Sequence, residues 1–460
     1  MKTSSIKYNA YTQKGIRFDA SFHLSDGLVT KRLIESSPYP LKTIGDVSSR
    51  IFFGNRAKRV YVTKKENGIP FLSSSDILRS DLENVKLASK KYMPVSDMKL
   101  EKGWTLISRS GTIGNCAFAN AKHAQKLASE DVIRLLPNNI LRGGLVYAYL
   151  ASKYGYSLLT QGTFGAVIQH IEPDFVSSIP IPSFPEDFQN KINDLVLESA
   201  RLREEAADVL DRAVSSVSRY INSNHKEHPF KCGKVNSQEI FHSLKMRIDP
   251  PALINDGVVA MNEVIEKMSF KRIGELGFTV RRPGIFKRVK VEKGIPYIKG
   301  SEIFLTNPFR RCEYLSKSRT PFIDEMVLKS GQILVTCAGS VGDIKMITQE
   351  YEDKCAIGSQ DIIRIDSFTN KDELFNKEYL FTYLQLPFVY SYIQSMKYGS
   401  VIERIEPFHI ESIPVVEPTP ELSKKVKTLI SSYMDDLYKA FCLEEEAIYL
   451  VEQEIEKWNK

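Results

Sequence analysis

The chain repeats itself once, at an offset near 230 residues, and this limits what it can fold into more than any other feature. Arg17-Phe18-Asp19 is answered by Arg247-Ile248-Asp249, and Asp26-Gly27 by Asp256-Gly257, both 230 residues on. Ile44-Gly45 matches Ile273-Gly274, and Lys58-Arg59-Val60 matches Lys287-Arg288-Val289, at 229. Gly68 to Phe71 matches Gly294 to Tyr297 at 226, and Gly111-Thr112-Ile113-Gly114 matches Gly339-Ser340-Val341-Gly342 at 228. Ser129 to Arg134 (SEDVIR) matches Ser359 to Arg364 (SQDIIR) at 230, and Phe164 to Pro173 (FGAVIQHIEP) matches Tyr398 to Pro407 (YGSVIERIEP) at 234. Order is kept while the offset drifts, as loop insertions in a duplicated domain produce. A solenoid, with units of about 20 to 50 residues, is excluded; two copies of about 200 residues are two domains.

Each copy reads as mixed. Short β-rich runs bounded by Gly, Pro or Asn (Trp104 to Ser108, Val132 to Leu136, Gln332 to Thr336, Asp361 to Ile365) predict strands. Helical stretches are expected near 144–154 and 377–395. Each copy then closes on a long helical period. In the first, Phe188, Ile192, Leu195, Ser199, Leu202, Ala206, Val209, Ala213, Ser216 and Tyr220 step by 4 and 3. In the second, Leu422, Val426, Leu429, Tyr433, Leu437, Ala440, Ile448, Val451, Ile455 and Trp458 do so, with a phase slip near Glu444 to Glu446. That rhythm belongs to a helix pairing with another helix, and the matched seams favour pairing with each other. Both periods follow prolines, Ile179-Pro180-Ile181-Pro182 and Ile413-Pro414, which prevent an earlier start. About 36 helical residues would span roughly 54 Å, comparable with one turn of B-DNA at about 34 Å.

The chain has 460 residues, 42% of them apolar and 26% charged, which suits a globular protein. No apolar run nears the roughly 20 residues that cross a bilayer, so a cytoplasmic protein is expected. The six cysteines (Cys116, Cys232, Cys312, Cys337, Cys355, Cys442) lack zinc-ligand spacing and read as free thiols. A net charge of +7 is compatible with a polyanionic partner without requiring one.

Taken together, the G-I-P-[FY]-[LI] strand, the G-x-x-[LI]-[IV]-[ST]-x-x-G-[ST]-[IV]-G segment (Gly103 to Gly114, Gly331 to Gly342), the S-x-D-[VI]-I-R segment and the I-P lead into each helix resemble the specificity (S) subunit of type I restriction-modification systems. The resemblance runs from about Arg17 to Trp458. It implies an α+β fold of two tandem target-recognition domains, each followed by a long spacer helix, the two helices packing as an antiparallel coiled coil. Its boundaries here would be an N-terminal extension (1–37), a first recognition domain (38–184), a central helix (185–225), a linker with the second start segment (226–269), a second recognition domain (270–418) and a C-terminal helix (419–460). The R-[FI]-D segments opening each copy have no assigned task. The implied function is to read a bipartite double-stranded DNA target without catalysis. Partner methyltransferase subunits, two of them, would methylate adenine with S-adenosylmethionine while this chain binds no cofactor; a restriction/translocase subunit is left open, and no membrane is involved.

Two other readings are a self-contained nuclease or methyltransferase and a two-domain protein scaffold. An amino-methyltransferase needs [DNS]-P-P-[YFW], whose aromatic stacks on a flipped base; Asp249-Pro250-Pro251-Ala252 ends in an alanine that cannot stack, and its repeat partner has no proline. No phosphate-cradling glycine loop is present. Glu352-Asp353-Lys354 carries a nuclease-like E-x-K without a partnering P-D, and reads as a solvated charge run. The copies agree at glycines and apolar positions and differ at polar loop tips, which favours two readers.

Phosphate contacts need Lys, Arg, hydroxyls and backbone N–H groups, while base readout needs side chains that reach groove edges. The candidate DNA contacts are Arg56, Lys58, Arg59, Arg109, Ser110, Thr112, Gln161 and Thr163 in the first copy. In the second they are Arg281, Arg282, Lys287, Arg288, Thr336, Ser340, Lys397, Tyr398 and Ser400. No catalytic or metal-binding residue is expected.

Overall fold

The structure is a computed structural model describing residues 25–82, 85–93, 95–161, 163, 169–222, 237–242, 247–367 and 372–459. Arg17 to Asp19, residues 164–168 and Cys232, on which sequence expectations were placed, lie outside the described residues. The chain divides into two compact units, Met1–Glu204 with Lys439–Lys460, and Glu205–Tyr438.

Both units lay the same sheets in the same order. In the first, Ser48–Phe53, Val132–Pro137, Thr105–Ser108 and Cys116–Phe118 form an antiparallel sheet in that spatial order. In the second, Thr279–Arg281, Ile362–Asp366, Ile333–Thr336 and Ile344–Met346 do the same. Alternate side chains leave opposite faces of a strand. Ile107, Ile133 and Leu135 join one core with Leu145 and Ile192, whereas Leu106 and Val132 join another with Leu72 and Ile77. With both faces covered, these strands read as unbroken apolar runs. A smaller sheet, Tyr61–Val62, Leu87–Ser89, Gly68–Leu72 and Leu127–Ala128, has its last pair parallel. Its counterpart is Lys290–Val291, Glu313–Leu315, Ile295–Ile298 and Ile357–Gly358. The prolines before each long helix sit in two-stranded ribbons, Leu41–Thr43 with Pro180–Pro182 and Phe270–Arg272 with Pro414–Val416. A strand paired on one side only tolerates a missing N–H.

Each helical stretch expected after the sheet proves to be two helices. Gly143–Ala151 and Lys153–Gln161 are separated at Ser152, whose backbone is extended. Lys377–Leu384 and Pro387–Ser395 are separated because Pro387, which has no N–H to donate, can only start a helix. On the second of each pair lies a helix from the start of the repeat, Asp26–Glu35 or Asp256–Ile265. The matched Asp-Gly pairs owe their glycines to this packing. A Cβ on Gly27 would meet Gln161 Cβ at 2.6 Å, and one on Gly257 would collide with the Tyr392 backbone. In the second unit Arg247 grips Asp249, Nε to Oδ1 at 2.7 Å, and donates to the Ser395 carbonyl at 2.9 Å. The start segment is therefore a cover pinned to its own module, and Asp249-Pro250-Pro251 is a helix-opening turn.

The long helices are Glu186–Ile221 and Pro420–Glu456. In the first unit Ile192 and Val196 share a core with Ala447, Ile448, Val451 and Ile455. In the second, Ala213, Val217 and Ile221 share one with Val426 and Ile430. The beginning of each helix thus meets the end of the other, an antiparallel pairing. The buried stripes are wider than the predicted seams: Val196 and Ile430 are buried, whereas Leu195 and Leu429 are only half-buried. The phase slip is a polar node. Glu444 is buried in the seam and accepts from Arg203 Nη2 at 2.8 Å and from the Tyr147 hydroxyl, while Ser199 Oγ donates to the Ala440 carbonyl at 2.7 Å.

Candidate nucleic-acid interface

At one end of the main sheet, the strand Thr105–Ser108 turns through Gly111 and Gly114 into Cys116–Phe118. Ile333–Thr336 turns through Gly339 and Gly342 in the same way. All four glycines have positive φ, between 72° and 88°, where a side chain would be strained. Ser108 Oγ and Thr112 Oγ1 are 2.7 Å apart across the first turn, and Thr336 Oγ1 donates to the Ser340 carbonyl across the second. Thr112 and Ser340 themselves are exposed.

Beneath each turn lies a feature that the sequence reading missed. The arginine closing S-x-D-[VI]-I-R is wholly buried in both modules. Arg134 donates from Nη1 to the carbonyls of Ser129 (3.3 Å) and Val132 (2.8 Å), and from Nη2 to those of Met98 (3.2 Å) and Ala128 (2.6 Å). Arg364 makes the same four bonds, to Ser359 (3.4 Å), Ile362 (2.9 Å), Met326 (3.3 Å) and Gly358 (2.8 Å). Burial pulls both guanidinium pKa values down to about 10. Its presence in both copies of an otherwise apolar strand was the available signal. The aspartate of the motif lies at the turn end of the sheet. Asp131 accepts from Ser110 Oγ at 2.7 Å and Arg59 Nη2 at 3.0 Å, bonds that outweigh its burial and hold its carboxyl below the usual range.

The expected DNA contacts divide into two groups. Arg56, Lys58, Thr112, Lys287, Arg288, Ser340 and Ser400 are exposed, Thr163 is half-buried, and Arg59 is exposed but engaged with Glu130 and Asp131. Lys287 lines a shallow cleft with Ser318, Arg319 and Thr320, and the Arg288 guanidinium lies 5.6 Å from the centre of the Tyr297 ring. The rest are committed inward. Arg109, at 6% exposure, stacks on Phe53 and pairs with Glu172; Ser110, Gln161 and Thr336 are buried. Arg281 pairs with the buried Asp366 at 2.8 Å, and Lys397 with Glu403 at 2.6 Å. Arg282 and Tyr398 meet on Glu406. These are engaged within the module, whereas the first group stays exposed at its surface. Ile285, 80% exposed and absent from the candidates because it is apolar, occupies the position equivalent to Arg56.

Residues Glu352 and Asp353 accept bonds from the Ser330 backbone at 3.0 Å and the Tyr438 hydroxyl at 2.7 Å, so they brace a loop. Among the described residues no helix is long and apolar enough to cross a membrane.

The two units are thus equivalent modules, each with an internally neutralised scaffold and an exposed basic loop. Residues 265–453 match the family model of the type I restriction modification DNA specificity domain. That match spans the second copy, and the first copy reproduces its sheets strand for strand. No curated protein matches the sequence. Among solved structures, a type I restriction-modification S subunit from M. genitalium is 15% identical over 91% of this chain and 96% of that one, with a TM-score of 0.35. An HsdS subunit from Thermoanaerobacter tengcongensis is 13% identical over 91% and 96%, with a TM-score of 0.27.

Proposed function

We propose that the chain is the specificity subunit of a type I restriction-modification complex, reading a two-part duplex target with one half-site per module. The carrying observation is the loop that follows the first strand of the main sheet, GNRAKRV (54–60) in one module and PGIFKRV (283–289) in the other. The exposed Lys-Arg pair is shared, as a contact to uniform phosphates would be. The exposed residue two places before it differs, Arg56 against Ile285, as a contact to different bases would. Arginine suits guanine in the major groove and an apolar side chain suits the thymine methyl. Chemistry is delegated: two methyltransferase subunits bring S-adenosylmethionine, this chain holds no cofactor, and a restriction or translocase subunit completes the complex where the host encodes one. The location that follows is the cytoplasm, with the DNA.

The test is reconstitution. The purified chain should neither methylate nor cut DNA, and adding the modification subunits encoded beside it should give methylation at a two-part sequence. Methyl transfer or cleavage by the chain alone would sink the proposal.

A further inference from the structure

The glutamate of the matched I-E-P segment has an arginine partner in both modules, but the arginine comes from different strands. In the first, Glu172 accepts from Arg109 Nη2 at 2.5 Å. In the second, Glu406 accepts from Arg282 Nη1 at 3.1 and 3.2 Å. The position equivalent to Arg109 is Cys337: their backbone N–H groups donate to the carbonyls of Asp131 (2.9 Å) and Asp361 (3.1 Å), and their carbonyls accept from Ile171 (3.3 Å) and Ile405 (3.0 Å). The position equivalent to Arg282 is Phe53. Phe52 lies opposite Arg134 and Arg281 opposite Arg364, so the next residues, Phe53 and Arg282, correspond. Phe53 fills the space beneath the Arg109 guanidinium, 4.2 Å away. One position has lost the arginine where the other has gained it, and the charge still meets the same glutamate.

An ion pair that contributed nothing could vanish from either module without replacement. Keeping it by opposite routes points to a need for the guanidinium at that spot. The glutamate begins the short helix Pro173–Ser177 or Pro407–Glu411. In the second module the residues before it form a hairpin in which Tyr398 and Arg404 exchange backbone bonds of 3.1 and 2.9 Å. Tyr398 Oη also donates to Glu406 at 2.9 Å, and Val401 at the tip is 93% exposed. In the first module Ser110 bridges His170, as Ala338 bridges Arg404.

We propose that Glu172–Arg109 and Glu406–Arg282 are equivalent positioning pairs that fix the I-E-P segment against the glycine turn each module offers to DNA, Gly111 to Gly114 or Gly339 to Gly342, and that the place of the guanidinium matters, not its strand of origin. This rests on the DNA-reading function above. Arg109 is too buried to touch phosphate, so its effect on recognition must pass through that turn.

The test uses the complex reconstituted with its modification subunits, and three duplexes: the target defined by methylation mapping, and that target with one or the other half-site scrambled. Arg109→Met should lower discrimination at the first half-site by about tenfold or more, the scale of a lost base-pair preference, and leave the second unchanged. Phe53→Arg with Arg109→Cys, which copies the second module into the first, should restore discrimination to within about threefold, while Phe53→Arg added to Arg109→Met should rescue better than Arg109→Met alone. Arg282→Phe with Cys337→Arg is the reciprocal exchange. Glu172→Gln keeps the shape and removes the charge, so it should lose first-half-site discrimination even if Arg109→Met fails to fold. Unchanged discrimination in folded Arg109→Met and Glu172→Gln, or a folded exchange variant without rescue, overturns the pair. A parental complex that distinguishes neither half-site overturns the DNA-reading function and this inference with it.

Discussion

Replacing Arg134 by methionine sets two large effects against each other. The substitution strips a charged donor from four buried carbonyls held at 2.6 to 3.3 Å. At about 1.5 to 3 kcal/mol for each bond to a charged group, the loss is about 6 to 12 kcal/mol. Against it stands the cost of burying the charge. A guanidinium whose pKa is pulled down to about 10 regains about 3 kcal/mol when it is removed, at about 1.4 kcal/mol per pKa unit. The orphaned carbonyls win, and a net loss of about 3 kcal/mol or more is expected, a large share of a total stability of about 5 to 15 kcal/mol. Arg134→Lys keeps the charge but cannot fork to four acceptors, and should lose about half as much. Both tryptophans, Trp104 and Trp458, lie in the first unit, so urea unfolding followed by tryptophan fluorescence reads the effect where it occurs. A loss below about 1 kcal/mol for Arg134→Met would show that the carbonyls find other donors and would refute the reasoning.

Exchanging Arg56→Ile and Ile285→Arg should each alter one base preference by about 1 to 3 kcal/mol, whereas Lys58→Ala or Lys287→Ala should weaken all sequences alike and reduce the salt slope by about 1, both read by titrations at several salt concentrations. Glu444→Leu leaves Arg203 and Tyr147 without their shared acceptor in the helix seam and should cost about 3 to 5 kcal/mol, most of it recovered when Arg203→Met is added; a double-mutant cycle by urea unfolding measures the coupling. Burial pulls the His123 imidazole down to about 4, against the hydrogen bond with the Ile77 carbonyl that raises it. The native state then favours the neutral ring. Stability is full above about pH 6.5 and falls between there and about pH 4, by about 3 kcal/mol, while His123→Gln should show a shallower decline across that window in matched denaturation series.

Duplication, the strands, the two long helices and their pairing were legible in the sequence because each leaves a pattern in the residues, while the antiparallel sense of that pairing came only with the family resemblance. Matched blocks keep their order, prolines stop helices from starting early, and a 3-and-4 apolar step needs a partner helix. The exposed Lys-Arg loop was legible for the same reason. What the residues alone did not separate was inward from outward charge. Arg59, Arg109, Arg134 and Arg282 look alike as letters. Tertiary structure commits Arg109 to Glu172, Arg282 to Glu406 and Arg134 to four carbonyls, and leaves Lys58 and Lys287 to solvent. The physical reason is that a buried charge must find its partner, and those partners come from positions 2 to 124 residues away in sequence. Likewise, an apolar Ile285 became a readout candidate only once the fold left it exposed at the place Arg56 occupies in the other module.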